Sequence, residues 1–340
     1  MTVDVGIVGG GPVGLAAAIE ARRAGLSVTL IEQRDGTIDK ACGEGLMPGA
    51  LPLLGRLGVD PPGVDLNGVR YRDGARIVDH RFTGLPGRGV RRTTLHRQLA
   101  ERAEELGVQR LRDRVTSVEQ RADRVVAAGI AARWLLGCDG LHSTVARRSG
   151  LALPPRRGPR RFGIRRHYAL EPWSDLIEVI YAADVEFYVT PVGEREVGVA
   201  MLGPMGSRFE QALAAVPSLA ERLAGAPVSS SLRGAGPFRS RTRSRTNGRV
   251  LLVGDAAGYV DALTGEGLRL GFALARAAVE AIASGQPEDY EDSWRRETRA
   301  FRTLTTGLVT WATSPARGLL VPTATRMPAL FGAAVDRLAR

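Results

Sequence analysis

The chain has 340 residues, 44% of them hydrophobic, with a formal charge of +11 at neutral pH. Such a length buries a full core in one large domain or two joined ones, and without an apolar run of about eighteen residues no membrane-spanning helix is expected. Lys40 is the only lysine and no aromatic residues interleave with a basic stripe, so the arginine-rich charge implies no nucleic-acid partner, while Cys42, Cys138 and the four histidines are too scattered to mark a disulfide framework or a metal site.

The N-terminus enters a strand-like run, Val3 to Val8, with no basic leader, and a cytoplasmic protein is the expectation. Gly9-Gly10-Gly11-Pro12 punctuates that strand before a helical pattern from Val13 to Ala24, which Gly25 stops. Ser27 to Ile31 reads as a second strand ending at Glu32. Strand, glycine turn, helix, strand is the opening of a dinucleotide-binding unit. Farther on, Gly68 to His80 alternates like a hairpin, Thr94 to Leu106 is an amphipathic helix, and Val108 to Glu119 and Arg133 to Cys138 look like strands. Four short β runs follow, Phe162–Tyr168, Asp175–Tyr181, Val185–Thr190 and Val197–Leu202, the signature of an antiparallel sheet in a second domain. Two short helices are expected between Ser207 and Ala224, a buried strand over Arg249–Val253, and a helix over Glu266–Ser284. The tail from Asp289 to Arg340 is helical, with interruptions expected at Pro315, Pro322 and Pro328.

The expected fold class is α/β: a Rossmann-like domain with an inserted antiparallel β-sheet domain and a helical C-terminal tail. Residues 1–160 and 233–288 make the first domain and 161–232 the second, with 68–90 a candidate addition to its sheet; 289–340 make the tail.

Three motifs point to one nucleotide cofactor. Gly9-x-Gly11-x-x-Gly14, with Pro12 at the helix start, lets a pyrophosphate approach the helix N-terminus, and Glu32 can accept hydrogen bonds from a ribose. Gly137-Cys138-Asp139-Gly140 closes another strand, and Gly254-Asp255-Ala256-Ala257-Gly258 closes a third. Each sets a carboxylate at the carboxyl end of a strand, where such sheets bind ligands. After Asp255, Leu263-Thr264-Gly265-Glu266-Gly267-Leu268 opens a helix whose positive end suits a flavin ring that gains negative charge on reduction.

With these residues in hand the chain resembles the single-component FAD hydroxylases typified by p-hydroxybenzoate hydroxylase, together with the geranylgeranyl reductases and flavin-dependent halogenases, over roughly residues 3 to 285. The resemblance implies non-covalent FAD and places Gln33, Lys40, Arg92 and Val115 with the motif residues around it. Arg92-x-x-Leu95 is similar to the family's arginine on the flavin side. Lys40-Ala41-Cys42-Gly43-Glu44-Gly45 is similar to the reductase branch's cysteine loop, and Tyr188 to Gly193 sits where that branch has a proline-containing sheet motif, without its tryptophans. The halogenase tryptophan pattern is absent.

The resemblance further implies NAD(P)H as electron donor, although no second glycine-rich nucleotide motif occurs, and a small lipophilic substrate under the sheet domain. Two chemistries are open. In one, reduced flavin traps dioxygen as a hydroperoxide that hydroxylates a phenolic or polyketide-type ring; in the other, flavin hydride and a proton reduce a prenyl carbon–carbon double bond. The short tail favours the first, the cysteine loop the second, and hydroxylation is the principal expectation; flavin binding without turnover ranks last. Cys42, Glu44 and Tyr188 are the catalytic candidates. Cys42 either lies over the flavin face or is a small buried residue, Glu44 either serves the substrate or caps a turn, and Tyr188, like Tyr168 and His167, either roofs the pocket or is an ordinary sheet residue. The apolar, arginine-bearing segment from Arg317 to Arg340 either packs across the FAD domain and closes the pocket or makes peripheral contact with a membrane.

Overall fold

The computed structural model describes residues 2–74, 76–155, 160–263 and 265–339. Strand β1 (Thr2–Val8) is buried over its last four residues and leads through a glycine turn into helix α1 (Pro12–Arg23). Pro12 fits the first helical turn, where its missing N–H costs nothing. Ala16, Ala17 and Ala18 are fully buried, their small side chains letting α1 lie close on the sheet. Strand β2 (Val28–Ile31) is buried throughout and runs parallel to β1. Next come the hairpin β3 (Gly68–Asp73) and β4 (Arg76–Arg81), helix α2 (Arg92–Glu105), strands β5 (Gln109–Leu111) and β6 (Ile130–Gly137), and helix α3 (Thr144–Arg148).

The strand expected over Val108–Glu119 is thus much shorter. Only Gln109–Leu111 pairs with β2, which itself offers just Thr29–Ile31; the chain then leaves the sheet, its polar residues exposed while Val115 and Val118 pack on the core.

The inserted sheet is built from β7 (Arg161–Tyr168), β8 (Leu176–Tyr181), β9 (Glu186–Gly193), β10 (Glu196–Pro204) and β11 (Arg233–Ala235). The chain then returns to the first sheet with β12 (Thr246–Asn247) and β13 (Val250–Leu252), followed by α4 (Gly267–Ala283), α5 (Asp289–Ala312), α6 (Leu320–Arg326) and α7 (Pro328–Ala339). The first sheet has the order β12-β13-β6-β1-β2-β5, parallel except for β12; the short strand Val125–Ala127 pairs antiparallel with β6, and Glu119–Gln120 pairs in turn with it. The second has the order β11-β7-β10-β9-β8-β3-β4. The early hairpin therefore belongs to the inserted sheet, with β3 parallel to β8.

Strand alternation gives this second sheet two unlike faces. One face sends Phe187 and Val189 into a core closed by the short helices Phe209–Ala214 and Pro217–Leu223. Tyr168 also joins that core, so of its two alternatives it is the ordinary sheet residue. The other face looks at the first domain.

The tail divides its packing. In α5, Tyr290 and Trp294 join the first domain's core. Helices α6 and α7 lie instead on the inserted sheet, where Leu320 and Val321 pack with Val78, Val179 and Tyr181, Phe331 meets the Tyr71 ring edge-on at 5.0 Å, and Asp336 binds His80 at 2.9 Å. The tail thus covers both domains. Pro322 does not interrupt it: as the third residue of α6 it sits in a first turn whose N–H groups have no helical partner. Among the described residues no single helix is long and apolar enough to cross a membrane; the pair Pro315–Arg326 and Pro328–Ala339 reaches that length only together, and is bent by 102°.

Candidate functional site

One large cavity lies between the carboxyl ends of the parallel strands and the inward face of the inserted sheet. At its nucleotide end the three motif glycines serve different purposes. A Cβ on Gly9, whose φ is +105°, would stand 2.5 Å from the Cys138 carbonyl, and one on Gly14 would stand 1.8 Å from the Gly9 carbonyl. These two glycines let β1, α1 and β6 close together. Gly11 caps α1 and has nothing within 4 Å of its missing Cβ, so the helix N-terminus opens onto free space. The Glu32 carboxylate accepts from the Gly10 N–H at 2.8 Å and the Arg34 N–H at 2.9 Å, holding the turn while lining the cavity.

Asp139 accepts from the N–H groups of Thr144 and Val145, at 2.6 and 3.1 Å, and so anchors α3. Its Oδ1 is buried without a partner, and burial pushes the carboxyl pKa up against the hydrogen bonds that lower it. Burial likewise raises Asp255, while Lys40 and Arg92 pull it down from across the cavity. Gly265 (φ +70°), Gly267 and Leu268 also line the wall; Thr264, quoted within this motif, lies outside the described residues. Glu266 caps α4 and is fully buried, with Oε2 2.8 Å from Arg269 and Oε1 unpartnered. Burial lifts its pKa to about 7.

Four residues expected at the cofactor stand off the wall. Gly14 is consumed by packing against Gly9, and Gly254 by packing against Val13. Gln33 points into solvent beyond the end of β2, and Val115 is buried in the first domain's core.

The substrate end carries all three catalytic candidates, Cys42, Glu44 and Tyr188. Glu44 adopts a left-handed φ of 61°, turning its buried carboxylate toward β7. Its Oε1 accepts from the Arg92 N–H at 2.8 Å and its Oε2 contacts His167 Nε2. On its other side His167 Nδ1 meets Ser230 Oγ at 2.7 Å and Arg165 Nη1 at 3.2 Å, and Arg165 also pairs with Asp39. The Cys42 Sγ accepts from the Glu44 N–H at 3.4 Å. Glycine at 198, opposite His167 on β10, makes this possible: a Cβ there would stand 3.2 Å from Glu44 Oε2.

A second buried cluster lies on the same face. Arg161 binds Asp261 at 3.1 Å and also pairs with Glu186, which accepts from the Tyr188 hydroxyl at 3.3 Å. Burial raises the pKa of Glu186, Asp261 and Tyr188, with Arg161 opposing it in all three. Beyond these polar groups the wall turns apolar, through Val69, Ile177, Val179 and Leu263 to Val335 and Leu338 of α7. The sequence reading missed Arg165, Arg161, Glu186, Asp261 and Ser230. For Arg161, Arg165 and Glu186 the available signal was charge at inward positions of otherwise apolar strands; Asp261 and Ser230 lie in loops and carry no such signal.

A family model described as an FAD binding domain matches residues 2–293. The chain belongs to this FAD-binding family. It is 28% identical over 325 residues to a menaquinone reductase of Mycolicibacterium smegmatis, covering 86% of this chain and 79% of that protein. It is also 28% identical to the 12-dehydrotetracycline 5-monooxygenase/anhydrotetracycline 6-monooxygenase of Streptomyces rimosus, covering 88% of this chain and 67% of that one. A flavoprotein/dehydrogenase from Cytophaga hutchinsonii shares the fold, with a TM-score of 0.81 at 18% identity over 98% of this chain and 96% of that chain. The protein is an FAD-dependent oxidoreductase of the hydroxylase and geranylgeranyl reductase superfamily. Its cavity fits the cofactor: open space stands over the α1 N-terminus at Gly11, two cations face it from Lys40 and Arg92, and the buried Asp139 Oδ1 awaits a donor.

Proposed function

We propose that the protein is an NAD(P)H-using monooxygenase that hydroxylates a lipophilic phenolic or polyketide-type ring. The observation carrying this reading is the two-character wall of the substrate end. Arg165, Glu44 and Tyr188 offer charge and hydrogen bonds at one end, and the strip from Val69 to Leu338 offers an apolar lobe at the other. A ring bearing a hydroxyl and an apolar substituent satisfies both, and the similarity to a tetracycline monooxygenase agrees with it.

The cofactor would be held by the α1 N-terminus at Gly9, Gly11 and Pro12, by Glu32 and Asp255 at its sugar and polyol hydroxyls, and by Lys40 and Arg92. The amides at Gly265, Gly267 and Leu268 would face the flavin pyrimidine edge. When bound, FAD supplies the two-electron chemistry that activates dioxygen. The protein's own part is to orient the ring through Arg165 and Glu44 and to exclude water with the inserted sheet and α7. The overall reaction balances as substrate, dioxygen, NAD(P)H and a proton giving hydroxylated product, NAD(P)+ and water.

Access for such a substrate is from an anionic membrane surface. Along the tail Leu319, Met327 and Leu330 are 59, 51 and 62% exposed and Arg326 and Arg337 are also exposed, while α7 turns Val335 and Leu338 into the cavity.

The deciding experiment is a single turnover of NAD(P)H-reduced holoenzyme with 18O-labelled dioxygen and a long-chain resorcinol. Product carrying one labelled oxygen is the expected result. The second reading, reduction of a prenyl double bond, is favoured by the Cys42 loop on the cavity wall and the similarity to a menaquinone reductase. Oxygen-independent saturation of one prenyl double bond, read as a two-hydrogen mass gain that survives reoxidation of the quinol, with no label in any product, would put that reading in place of hydroxylation.

A further inference from the structure

Hydroxylation and double-bond reduction share one requirement. Oxygen insertion with NAD(P)H consumes one proton and forms water; saturation of a double bond with NAD(P)H consumes one proton and forms a C–H bond. The proton comes from solvent, and the cavity's polar end is sealed by side chains that are almost completely buried: Glu44 3%, Arg165 1% and His167 0% exposed.

We propose that Ser230, His167 and Glu44 form an inward proton path from solvent to the cavity. Ser230 is half-buried in a loop next to the exposed Ser229. Its Oγ accepts from the His167 backbone N–H at 3.1 Å, which leaves its own hydrogen free to donate to His167 Nδ1 at 2.7 Å. Arginine has donors and no acceptor, so Arg165 Nη1, 3.2 Å from Nδ1, requires a lone pair on that nitrogen. The hydrogen-bond network therefore assigns the imidazole hydrogen to Nε2, directed at Glu44 Oε2.

Every hydrogen in this chain points toward the cavity. Transfer breaks the Ser230 O–H bond and forms Nδ1–H, then breaks Nε2–H and forms the Glu44 carboxyl O–H, while Ser230 regains a proton from water; the imidazole then turns over to bring its hydrogen back to the Glu44 side, where Arg165 again meets a lone pair, before the next turnover. Glu44, on the cavity wall, then holds the proton that turnover consumes.

The charges around the path come from each neighbouring element. Arg165 faces Glu44 Oε1 at 3.9 Å, Asp39 binds Arg165 and Arg233, Arg92 contributes its N–H, and Glu196 of β10 is held by Arg91 and Ser229. The guanidinium of Arg165 keeps the path oriented and, unable to lose its own proton, does not carry one. A merely structural tie between the Cys42 loop and β7 would need neither the hydroxyl of Ser230 nor a group that can pass a proton from one nitrogen to the other.

The path can be tested without knowing the substrate, because reduction of bound FAD itself takes up protons from solution. FAD-loaded protein in weakly buffered anaerobic solution is photoreduced, with flavin bleaching reporting electrons and a pH indicator reporting proton uptake. H167Q keeps a hydrogen bond to Glu44 but cannot relay, and S230A removes the entry hydroxyl. Under saturating light both are expected to bleach fully and to take up protons about 100-fold more slowly than wild type, because two-electron reduction of the flavin is completed only with a proton, with S230T restoring both rates. Wild-type proton uptake in both variants, or a slowing that S230T does not reverse, overturns the path. Should H167Q lose its cofactor, the Ser230 pair decides alone. Failure here leaves the oxygen-label result standing, and failure of the label leaves this result standing.

Discussion

The two ends of the cavity are built on opposite plans. At the nucleotide end the working groups are backbone amides, glycines and single carboxylates at strand ends, each delivered by a contiguous motif: Gly9 to Gly14, Gly137 to Gly140, Gly254 to Gly258. At the substrate end the side chains come from distant segments, such as Glu44 with His167 and Arg161 with Glu186 and Asp261, buried and tied to one another by hydrogen bonds. A backbone site tolerates little change of shape, whereas a side-chain site tolerates little change of charge. Substitutions at the two ends should therefore fail in different ways.

The largest effect is expected at Gly11. Its φ of −70° suits any residue and its surroundings are open, so Gly11→Val should fold with near-normal thermal stability as apoprotein while losing FAD. Flavin absorbance after gel filtration measures this, and full occupancy in the variant would move the pyrophosphate away from α1. At the opposite end, Glu44→Ala leaves the buried His167 Nε2–H and the Arg92 N–H without their acceptor, while Arg165 keeps Asp39. Urea unfolding should show a loss of about 2–4 kcal/mol, and a loss below about 1 kcal/mol would show that the cluster rearranges at little cost.

Glu266 gives the comparison a pH dependence. Its pKa in the fold is raised from an ordinary 4.5 to about 7, so the protein favours its neutral form. That contribution is complete below about pH 4.5 and is lost as pH rises through about 7, a span worth on the order of 3 kcal/mol. Wild-type stability relative to Glu266→Gln should therefore fall between pH 5 and 8. A difference independent of pH would mean that Arg269 keeps the carboxylate ionised throughout.

The smallest effect is expected at the tail. Replacing Arg326 and Arg337 with glutamine should weaken co-sedimentation with anionic vesicles by about 1 kcal/mol per arginine at low salt. Neutral vesicles should bind neither form. Equal binding of wild type and the double variant would remove the tail from any membrane contact and leave α6 and α7 only their packing on the inserted sheet.

The sequence by itself determined the nucleotide motifs, the succession of strands and helices along most of the chain and the membership in an FAD-binding family. Glycine motifs work through local backbone geometry, so Gly11, Glu32, Asp139 and Asp255 could be placed from their neighbours alone. Even there, local reading could not say which glycines face the cavity: Gly14 and Gly254 are spent on packing, and Gln33 and Val115 fall away from the wall. Only the tertiary structure decided the substrate end. Strand pairing alone brings Arg165 and His167 of β7 over the Cys42 loop, and the phase of alternation alone sends Tyr188 inward and Tyr168 outward. It also settled the tail, where α7 puts Val335 and Leu338 into the cavity through a His80–Asp336 contact across 256 residues. Periodicity encodes that a residue is on a face; which partner that face meets depends on contacts between segments far apart in the chain, and these carry no local signal.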